Sequence, residues 1–354
     1  MAVNIDGLDT PALVIDVDRV ETNLKRAQDY ADKHGVRLRP HIKTHKLPRF
    51  AKRQLELGAI GITCQKIGEA EVMVDAGIED IFLPYNILGP QKLFRLLALT
   101  RRARVSVAAD SRETVAGYSA AYAGEPAPLR VLVECDTGGG RCGVQSPADA
   151  VALAKVVAGS PGLAFAGITT YPAAGMVKEN AAWLAEVVDL LEAAGLPPEV
   201  VSNGGTPDFW SAHEVAAATE HRPGTYIYLD RSQVARKVGT FDDCALTVLS
   251  TVVSRPTGDR AVLDAGSKAL TSDTLGMPGF GRLVEYPDAV IKGLSEEHGT
   301  VDLSGASAKP KIGERVRIIP NHACPVSNLF DKAFLVSGET VVDCLPIAAR
   351  GRVT

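Results

Sequence analysis

Two lysines and two histidines lie within six residues of each other, in the stretch His41-Ile42-Lys43-Thr44-His45-Lys46. A lysine that is crowded by other cations and partly removed from water loses its proton more easily. Its amine then becomes a nucleophile toward an aldehyde. A lysine that carries pyridoxal phosphate as a Schiff base needs this property. The alternative for such a cluster is a solvated basic turn at the end of a strand.

The residues before this cluster predict where it lies in the fold. Val36-Arg37-Leu38 favours a short strand, and Pro40 has no N–H to donate to a central ladder. The chain is therefore expected to leave the sheet near Pro40. Lys43 would then stand at the C-terminal end of a strand.

Strand and helix patterns alternate over most of the chain. Helix start signals support several of the helices, as where Ser146 is a cap residue and Pro147 takes the first helical position. A further helix is expected from the Asp18 cap to about His34. The predicted strands of the alternating region are 36–40, 61–63, 80–83, 104–108, 130–134, 163–169, 199–202 and 226–229. The predicted helices are 48–57, 68–76, 90–99, 111–123, 147–158 and 180–194.

This alternation predicts an α/β fold in which eight strands form a (β/α)8 TIM barrel, with a doubly wound sheet as the competing arrangement. The pattern changes after about residue 240, where turns rich in glycine and proline join strand-like runs at 245–254, 260–264, 314–319, 333–336 and 340–345. This part predicts a smaller β domain, and the 11–16 run is expected to pair with it. The predicted division is an N-terminal strand segment 1–20 that joins the β domain, a barrel 21–240 and a C-terminal β domain 241–354.

Composition narrows the class of protein. The chain has 354 residues, a net charge of −4 and no apolar run that approaches the ~20 residues of a membrane span. The six cysteines are scattered without CxxC spacing, which is typical of free thiols in a reducing cytosol. No signal peptide pattern opens the sequence. We therefore expect a cytoplasmic protein with neither nucleic acid nor membrane as a partner.

A glycine-rich loop follows the fifth predicted strand. Gly138 to Gly143 formally matches the dinucleotide pattern G-x-G-x-x-G, but no helix is predicted to open at the third glycine and no suitable acid follows about 20 residues later. The favoured interpretation is that the glycines let Arg141 approach a ligand closely, and the alternative is a flexible turn with an exposed arginine.

Two further loops carry small residues with many backbone N–H groups. They are Ser202 to Thr206 after the seventh predicted strand, and Gly224-Thr225 just before the eighth. Loops at these positions of a barrel commonly bind phosphate. Without phosphate they are turns.

A possible metal pair lies in the predicted β domain. In an extended segment, residues i and i+2 point to one face, so His322 and Cys324 could bind one soft or borderline cation such as zinc. Two ligands are too few for a closed structural site. They suit an open site that takes water or substrate, whereas a chance pair is the alternative.

Together these motifs resemble the D-threonine aldolase and D-serine dehydratase family of fold type III pyridoxal phosphate enzymes. The family combines an alanine-racemase-like barrel with a C-terminal β domain, and the resemblance spans nearly the whole chain. The segments that carry it are Arg39 to Lys46, Cys64-Gln65-Lys66 with Glu69-Ala70-Glu71, Gly140-Arg141-Cys142-Gly143 and His322-Ala323-Cys324.

The resemblance implies roles for individual residues. Lys43, and not Lys46, matches the catalytic Schiff-base lysine. His322 and Cys324 match the catalytic ligands of a divalent metal, zinc or manganese. Three residues match positions around the cofactor ring: Gln65, Arg141 and Tyr171. Five match positions around its phosphate: Gly204, Gly205, Thr206, Gly224 and Thr225. Related enzymes are homodimers, so a homodimer is implied here.

The resemblance leaves two reactions open for a small D-amino acid substrate with a β-hydroxyl group. Most of the matching motifs favour retro-aldol cleavage to glycine and an aldehyde, as in D-threonine aldolases. The metal pair departs from the His-x-Asp that is typical of aldolases and looks like that of dehydratases acting on D-serine or D-threo-3-hydroxyaspartate. The expected function is the aldolase, with the dehydratase as the alternative.

Three other functions are expected less. A two-base racemase on this fold needs a second base, often a tyrosine, and beyond residue 230 the chain has only Tyr286. A non-catalytic pyridoxal phosphate carrier resembles a lone barrel and would not need the C-terminal domain. A protein-interaction scaffold would not need Lys43.

Overall fold

The computed structural model describes residues 3–354, so the first two residues of the predicted segment 1–20 lie outside the described part. The chain forms two compact units. The β-rich unit comprises the chain up to Arg26, Thr44–Lys46 and Thr225–Gly351, and the barrel unit comprises Ala27–Lys43, Leu47–Gly224 and Arg352–Thr354. The domain bounds 20/21 and 240/241 remain a prediction.

The helices of the described chain follow the predicted positions closely in the barrel unit. The predicted cap at Ser146 is present, since its hydroxyl accepts a hydrogen bond from the Asp149 N–H at 3.1 Å. In order, α1 to α10 are Val17–His34, Pro48–Leu57, Ile67–Asp75, Pro90–Thr100, Arg112–Tyr122, Pro147–Ala158, Val177–Ala193, Arg231–Ala235, Ser267–Leu270 and Ala323–Leu329. No described helix combines the length and the apolar character that crossing a membrane requires.

The strands divide between two sheets. In order, β1 to β17 are Val3–Asn4, Ala12–Asp16, Ile62–Thr63, Asp80–Leu83, Arg104–Ala109, Leu129–Cys135, Leu163–Thr170, Val200–Asn203, Glu220–His221, Leu246–Thr257, Arg260–Leu263, Arg282–Leu283, Val290–Leu294, Gly299–Asp302, Arg315–Ile319, Lys332–Ser337 and Thr340–Pro346. Strands β3 to β9 form the parallel sheet of the barrel unit in chain order, and the other strands form the sheet of the β-rich unit.

The parallel sheet closes on itself through the extended segment 37–41. On one side Arg39 N donates to His221 O, and on the other Thr63 N donates to Pro40 O. Leu38 and His41 form parallel bridges with β9 and β3, respectively. This segment is therefore the first strand position of an eight-stranded (β/α) barrel, as the alternation predicts.

The predicted eighth strand is wrong. The run 226–229 contains the end of a 3-10 helix, Thr225–Ile227, and the eighth strand position is β9, Glu220–His221. The apolar side chains of Tyr226, Ile227 and Tyr228 are buried, which produced a strand-like pattern without a strand. The true strand is two residues long and polar, so no apolar pattern marks it.

Apolar side chains from alternate positions fill the barrel. Phe82, Ala108, Leu132 and Ala166 are buried together, and Val200 packs against them. Side chains of parallel strands that point inward form such layers, which makes the barrel interior a core and leaves the strand ends for function.

The β-rich unit is organised around β2 and β10. β2 pairs antiparallel with β10 and parallel with β16, so the 11–16 run does pair with the C-terminal strands. The predicted runs 245–254, 260–264, 314–319, 333–336 and 340–345 correspond to β10, β11, β15, β16 and β17. The strands β12, β13 and β14 were not predicted.

Candidate active site

Lys43 lies just past the segment that closes the barrel, in the 3-10 helix Ile42–Thr44. Its backbone N–H donates to His41 Nδ1 at 3.3 Å, and His41 Nε2 is 2.9 Å from Gln65 Oε1. Since Nδ1 accepts, Nε2 carries the proton and donates to the Gln65 amide. The buried His41 ring therefore joins two of the predicted site residues, Lys43 and Gln65, into one hydrogen-bonded group.

Tyr171, at the end of β7, lies beside two predicted cations. Lys43 Nζ is 6.0 Å from the centre of its ring, and the Arg141 guanidinium carbon is 5.1 Å from it. Tyr171 is 42% exposed, so one part of the ring remains open to a ligand. The barrel fold thus brings Lys43, Arg141 and Tyr171 to one place, although they are far apart in the sequence.

The glycine loop after β6 has a defined shape. The Asp136 carboxylate accepts the N–H groups of Gly138 and Gly140 at 3.0 Å. Partial burial would raise the pKa of Asp136, but these backbone hydrogen bonds lower it. No helix begins at Gly143, which agrees with the exclusion of a dinucleotide site. The loop holds Arg141 at the surface, with Nη2 3.9 Å from Glu134 Oε1.

Packing requires glycine at both positions that follow Asn203. A Cβ on Gly204 would lie 1.9 Å from His221 Cε1, and its φ of +85° also favours glycine. A Cβ on Gly205 would lie 2.7 Å from Tyr171 Cε2. Beside them, the buried Thr206 hydroxyl accepts the Gly224 N–H at 3.1 Å. The four residues predicted for phosphate in the barrel unit are therefore brought together.

Arg222 is a buried cation that the sequence analysis did not assign. Its Nη2 donates to Thr170 O at 2.5 Å, and its Nε has no hydrogen-bond partner among the described residues. Burial lowers the pKa of this guanidinium to about 10, so it stays charged at neutral pH. The eighth strand was predicted at 226–229, which puts Arg222 before a strand. In the structure Arg222 directly follows β9 and therefore stands at a strand C-terminus.

The metal pair lies at the start of a helix and not in an extended segment, so the i, i+2 argument was wrong. His322 is extended, with φ −138° and ψ 109°, and is the N-cap of α10, whereas Cys324 is inside that helix. The two side chains nevertheless interact. Burial alone would lower the pKa of His322, but hydrogen bonding to Cys324 and its charge, together with Asp273, raise that pKa to about 9.

Two side chains from elsewhere in the β-rich unit contact the sulfur of Cys324. The Thr44 and Thr225 hydroxyl oxygens lie 3.1 Å and 3.6 Å from Sγ. Thr225 was predicted in the phosphate region, and the structure puts its hydroxyl beside the predicted metal ligand. Either atom can be the donor in these two contacts, so both hydroxyls can donate to the thiolate that a metal would bind.

Two carboxylates that the sequence analysis missed hold the pair in position. Asp273 Oδ2 is 2.6 Å from His322 Nδ1, so Nε2 is the ring nitrogen that faces Cys324 and that a metal would take. The fully buried Asp230 accepts the Ala323 N–H at 2.9 Å and so fixes the first turn of α10 between the two ligands. Carboxylates that bind a metal-ligating histidine in this way orient its ring.

Replacing Asp273 with alanine is expected to weaken divalent metal binding by about ten- to a hundredfold, since the ring of His322 loses its orienting partner. Equilibrium dialysis with zinc measures the effect. Asp302 offers a matched control, because its carboxylate accepts a hydrogen bond from Ser304 on another loop of the same unit. An Asp273→Ala protein that binds zinc as tightly as Asp302→Ala does would contradict the role of Asp273.

His221 is expected to make the fold sensitive to acid. Its ring is fully buried, donates from Nε2 to Gly205 O at 2.9 Å, and has its pKa lowered by burial from 6.5 to about 4. The unfolded chain thus takes up this proton at a higher pH than the folded chain does. The free energy of unfolding should fall as pH drops through that window, by up to about 3 kcal/mol.

Urea unfolding of the wild type and of His221→Asn at pH 7 and pH 4 tests this prediction. The variant should lose less free energy of unfolding on acidification, whereas replacement of the exposed His298 should change nothing. Equal acid sensitivity of His221→Asn and the wild type would exclude His221 as the source.

Comparison with known proteins adds to this geometry. A family model described as "Alanine racemase, N-terminal domain" matches residues 15–232, and one described as "Putative serine dehydratase domain" matches residues 245–336. The chain is 37% identical to a D-threonine aldolase of Arthrobacter sp, over 97% of this chain and 93% of that protein. It is 34% identical to a 3-hydroxy-D-aspartate aldolase of Paracoccus denitrificans, over 98% and 93%. It is 33% identical to a D-threo-3-hydroxyaspartate dehydratase of Delftia sp., over 91% and 93%.

Solved structures of proteins with the same names are similar to this chain over nearly its whole length. The D-threonine aldolase from Filomicrobium marinum superposes with a TM-score of 0.92 at 36% identity, covering 100% of this chain and 98% of that one. A cysteine-to-alanine mutant of D-threo-3-hydroxyaspartate dehydratase in the metal-free form gives a TM-score of 0.87 at 31% identity, covering 97% and 98%.

Proposed function

Because the chain belongs to the alanine-racemase-like family of pyridoxal phosphate enzymes, with D-threonine aldolases and a D-threo-3-hydroxyaspartate dehydratase among its relatives, we propose that it cleaves the Cα–Cβ bond of D-β-hydroxy-α-amino acids. The products are glycine and an aldehyde. The observation that carries the proposal is the grouping of Lys43 and Arg141 around Tyr171 at the carboxyl end of the barrel. The identity of 37% to an aldolase over nearly the whole chain supports the choice of reaction.

The residues present fit pyridoxal phosphate. Lys43 would hold it through its amine, with Gln65, Arg141 and Tyr171 around the ring. The phosphate would lie against Gly204, Gly205, Thr206, Gly224 and Thr225. One observation supports the fit: the buried Arg222 Nε has no partner among the described residues.

When bound, pyridoxal phosphate draws electrons from the substrate bond that breaks at Cα. The chain itself supplies charge, orientation and proton transfer. Arg222 keeps a permanent positive charge in a buried place, and Lys43 has an amine that can take up or release a proton beside the Tyr171 ring. The bond from His41 to Gln65 holds the loop after β3 against the Lys43 turn.

His322 and Cys324 are the proposed ligands of a divalent metal. One imidazole nitrogen and one thiolate form a donor set that suits an open zinc site, and a thiolate favours zinc over manganese. When bound, such a metal acts as a Lewis acid toward the β-hydroxyl oxygen of the substrate. Asp273 and Asp230 keep the two ligands in place. A related dehydratase was solved as a mutant of a histidine and as a mutant of a cysteine two residues further on, the latter in the metal-free form, and His322 and Cys324 have the same spacing.

The dehydratase is the second candidate, and Cys324 is the observation that favours it. The related dehydratase was studied with its own cysteine mutated, in the metal-free form. In this reaction the same metal would stabilise hydroxide that leaves Cβ, and the products are a 2-oxo acid and ammonia. A racemase fits less well, since the Tyr286 hydroxyl donates to Glu314, which raises its pKa to about 12.

We further propose that the enzyme is a cytoplasmic homodimer that requires neither nucleic acid nor membrane. None of its six cysteines forms a disulfide, as in proteins of reducing compartments. Homodimers are implied by the resemblance to related enzymes.

Incubation with D-threonine and with D-serine, in separate reactions, tests the proposed reaction. Glycine and acetaldehyde from D-threonine are the expected products. Ammonia with 2-oxobutanoate or pyruvate, without glycine, would show that the enzyme is a dehydratase. A parallel reaction with Lys43→Ala protein identifies any turnover that does not depend on the proposed site.

A further inference from the structure

Three potential metal ligands meet in the barrel unit, away from His322 and Cys324 in the sequence. Asp110 directly follows β5, Glu134 lies near the end of the neighbouring strand β6, and Cys142 belongs to the glycine loop. One carboxylate oxygen of each acid and the Cys142 sulfur all lie within 4.8 Å of one another. A cation at their centre would need only small shifts to reach the ligand distances of about 2.0–2.3 Å that zinc prefers.

Glu134 is the feature that points to a ligand. The residue is only 6% exposed, and the ion pair described for its carboxylate is with Arg141. The nearest cation, Arg141 Nη2, is 3.9 Å away, which is too far for a hydrogen bond. Burial raises the pKa of Glu134 although Arg141 and Arg222 oppose that shift. A buried carboxylate whose ionic partner lies beyond hydrogen-bond distance is costly, and a bound cation would offset that cost.

The other two ligands are held in place for the same cation. Asp110 Oδ2 accepts the Gly143 N–H at 3.1 Å, which leaves Oδ1 available and ties the glycine loop to the end of β5. Cys142 is the residue before Gly143, and it is exposed, so a cation can reach it from solvent. One thiolate and two carboxylates form a donor set for a thiophilic divalent cation, with a coordination position left for water.

We propose that Asp110, Glu134 and Cys142 form a second cation site, for a thiophilic divalent cation such as zinc or cadmium, and that its occupancy inhibits the enzyme. Arg141 faces the same carboxylate as the cation would, so a dication bound to Glu134 competes with Arg141 and repels it. The inhibition rests on the proposed function, which assigns Arg141 to the cofactor site. The binding itself does not.

The binding is tested in a chain that lacks the first metal pair, His322→Ala with Cys324→Ala, loaded with pyridoxal phosphate. Equilibrium dialysis with cadmium should find one ion bound per chain. Adding Cys142→Ser should weaken that binding by at least about tenfold, as should Asp110→Asn. Adding Cys344→Ser, which removes the other exposed thiol, should leave it unchanged. Binding that is absent, or that survives Cys142→Ser, would overturn the site.

The inhibition is tested in the enzyme with its metal pair intact. Each rate is compared with the rate of the same protein without cadmium. Half-inhibition of Cys142→Ser should require at least about ten times more cadmium than the wild type, and Cys344→Ser should behave as the wild type does. Equal sensitivity of all three proteins would overturn the inhibitory role, whereas an inactive enzyme that still binds cadmium through Cys142 would contradict only the proposed function.

Discussion

Replacing Lys43 with alanine is expected to abolish the visible absorbance band of lysine-bound pyridoxal phosphate and to lower turnover by at least about a thousandfold. The variant loses both the amine that would hold the cofactor and the group that would move a proton beside Tyr171. An absorbance spectrum of the purified protein after incubation with pyridoxal phosphate measures the first effect. Release of glycine from D-threonine measures the second.

Lys46 provides the matched control, because it lies three residues further on and is buried, with Nζ 3.4 Å from Ala349 O. Lys46→Met removes its amine and keeps an apolar stem of similar length. This variant should retain the band. Loss of the band in Lys46→Met together with its retention in Lys43→Ala would show that the wrong lysine was assigned.

Removing the metal is expected to lower turnover by about a thousandfold while the visible band persists, since Lewis-acid stabilisation contributes several kcal/mol and the metal does not hold the cofactor. Dialysis against a chelator should produce this effect in the wild type. His322→Ala and Cys324→Ala should produce it without a chelator. Elemental analysis, the absorbance spectrum and the rate are measured on the same preparations.

Two further variants make this test specific. Cys344→Ala, at an exposed position of β17, should remain active and keep its metal. Cys324→Asp replaces the soft thiolate with a carboxylate and should shift the preferred metal from zinc toward manganese. Full activity of a preparation that elemental analysis finds free of metal would refute the role of the pair.

The sequence alone predicted most of the barrel, because the strands of that part are marked by apolar runs and its helices by cap residues, both of which are local features of the sequence. The run 80–83 is apolar over its last three residues and coincides with β4, and Ser146 caps α6 as expected. Such signals need no information from distant residues. The basic cluster at the end of the first strand position could be recognised for the same reason.

Sequence also determined which residue types are available for chemistry, but not how they meet. The His322 and Cys324 pair was predicted from an extended geometry, and the structure instead has an N-cap followed by a helix. That helix begins where it does because Asp230, far away in the chain, accepts the Ala323 N–H. A hydrogen bond between residues so far apart in the chain cannot be predicted from a local sequence pattern.

Only the tertiary structure decided the eighth strand and the position of the residues next to it. Glu220 and His221 have no apolar pattern, and they form a strand because the segment 37–41 pairs with them when the barrel closes. Closure puts Arg222 at a strand end and leaves its guanidinium buried. The pairing of β5 with β6 brings Asp110, Glu134 and Cys142 together from two strand ends and a loop. These sites depend on backbone pairing between residues far apart in the chain, so the sequence determined their chemistry and the fold determined their geometry.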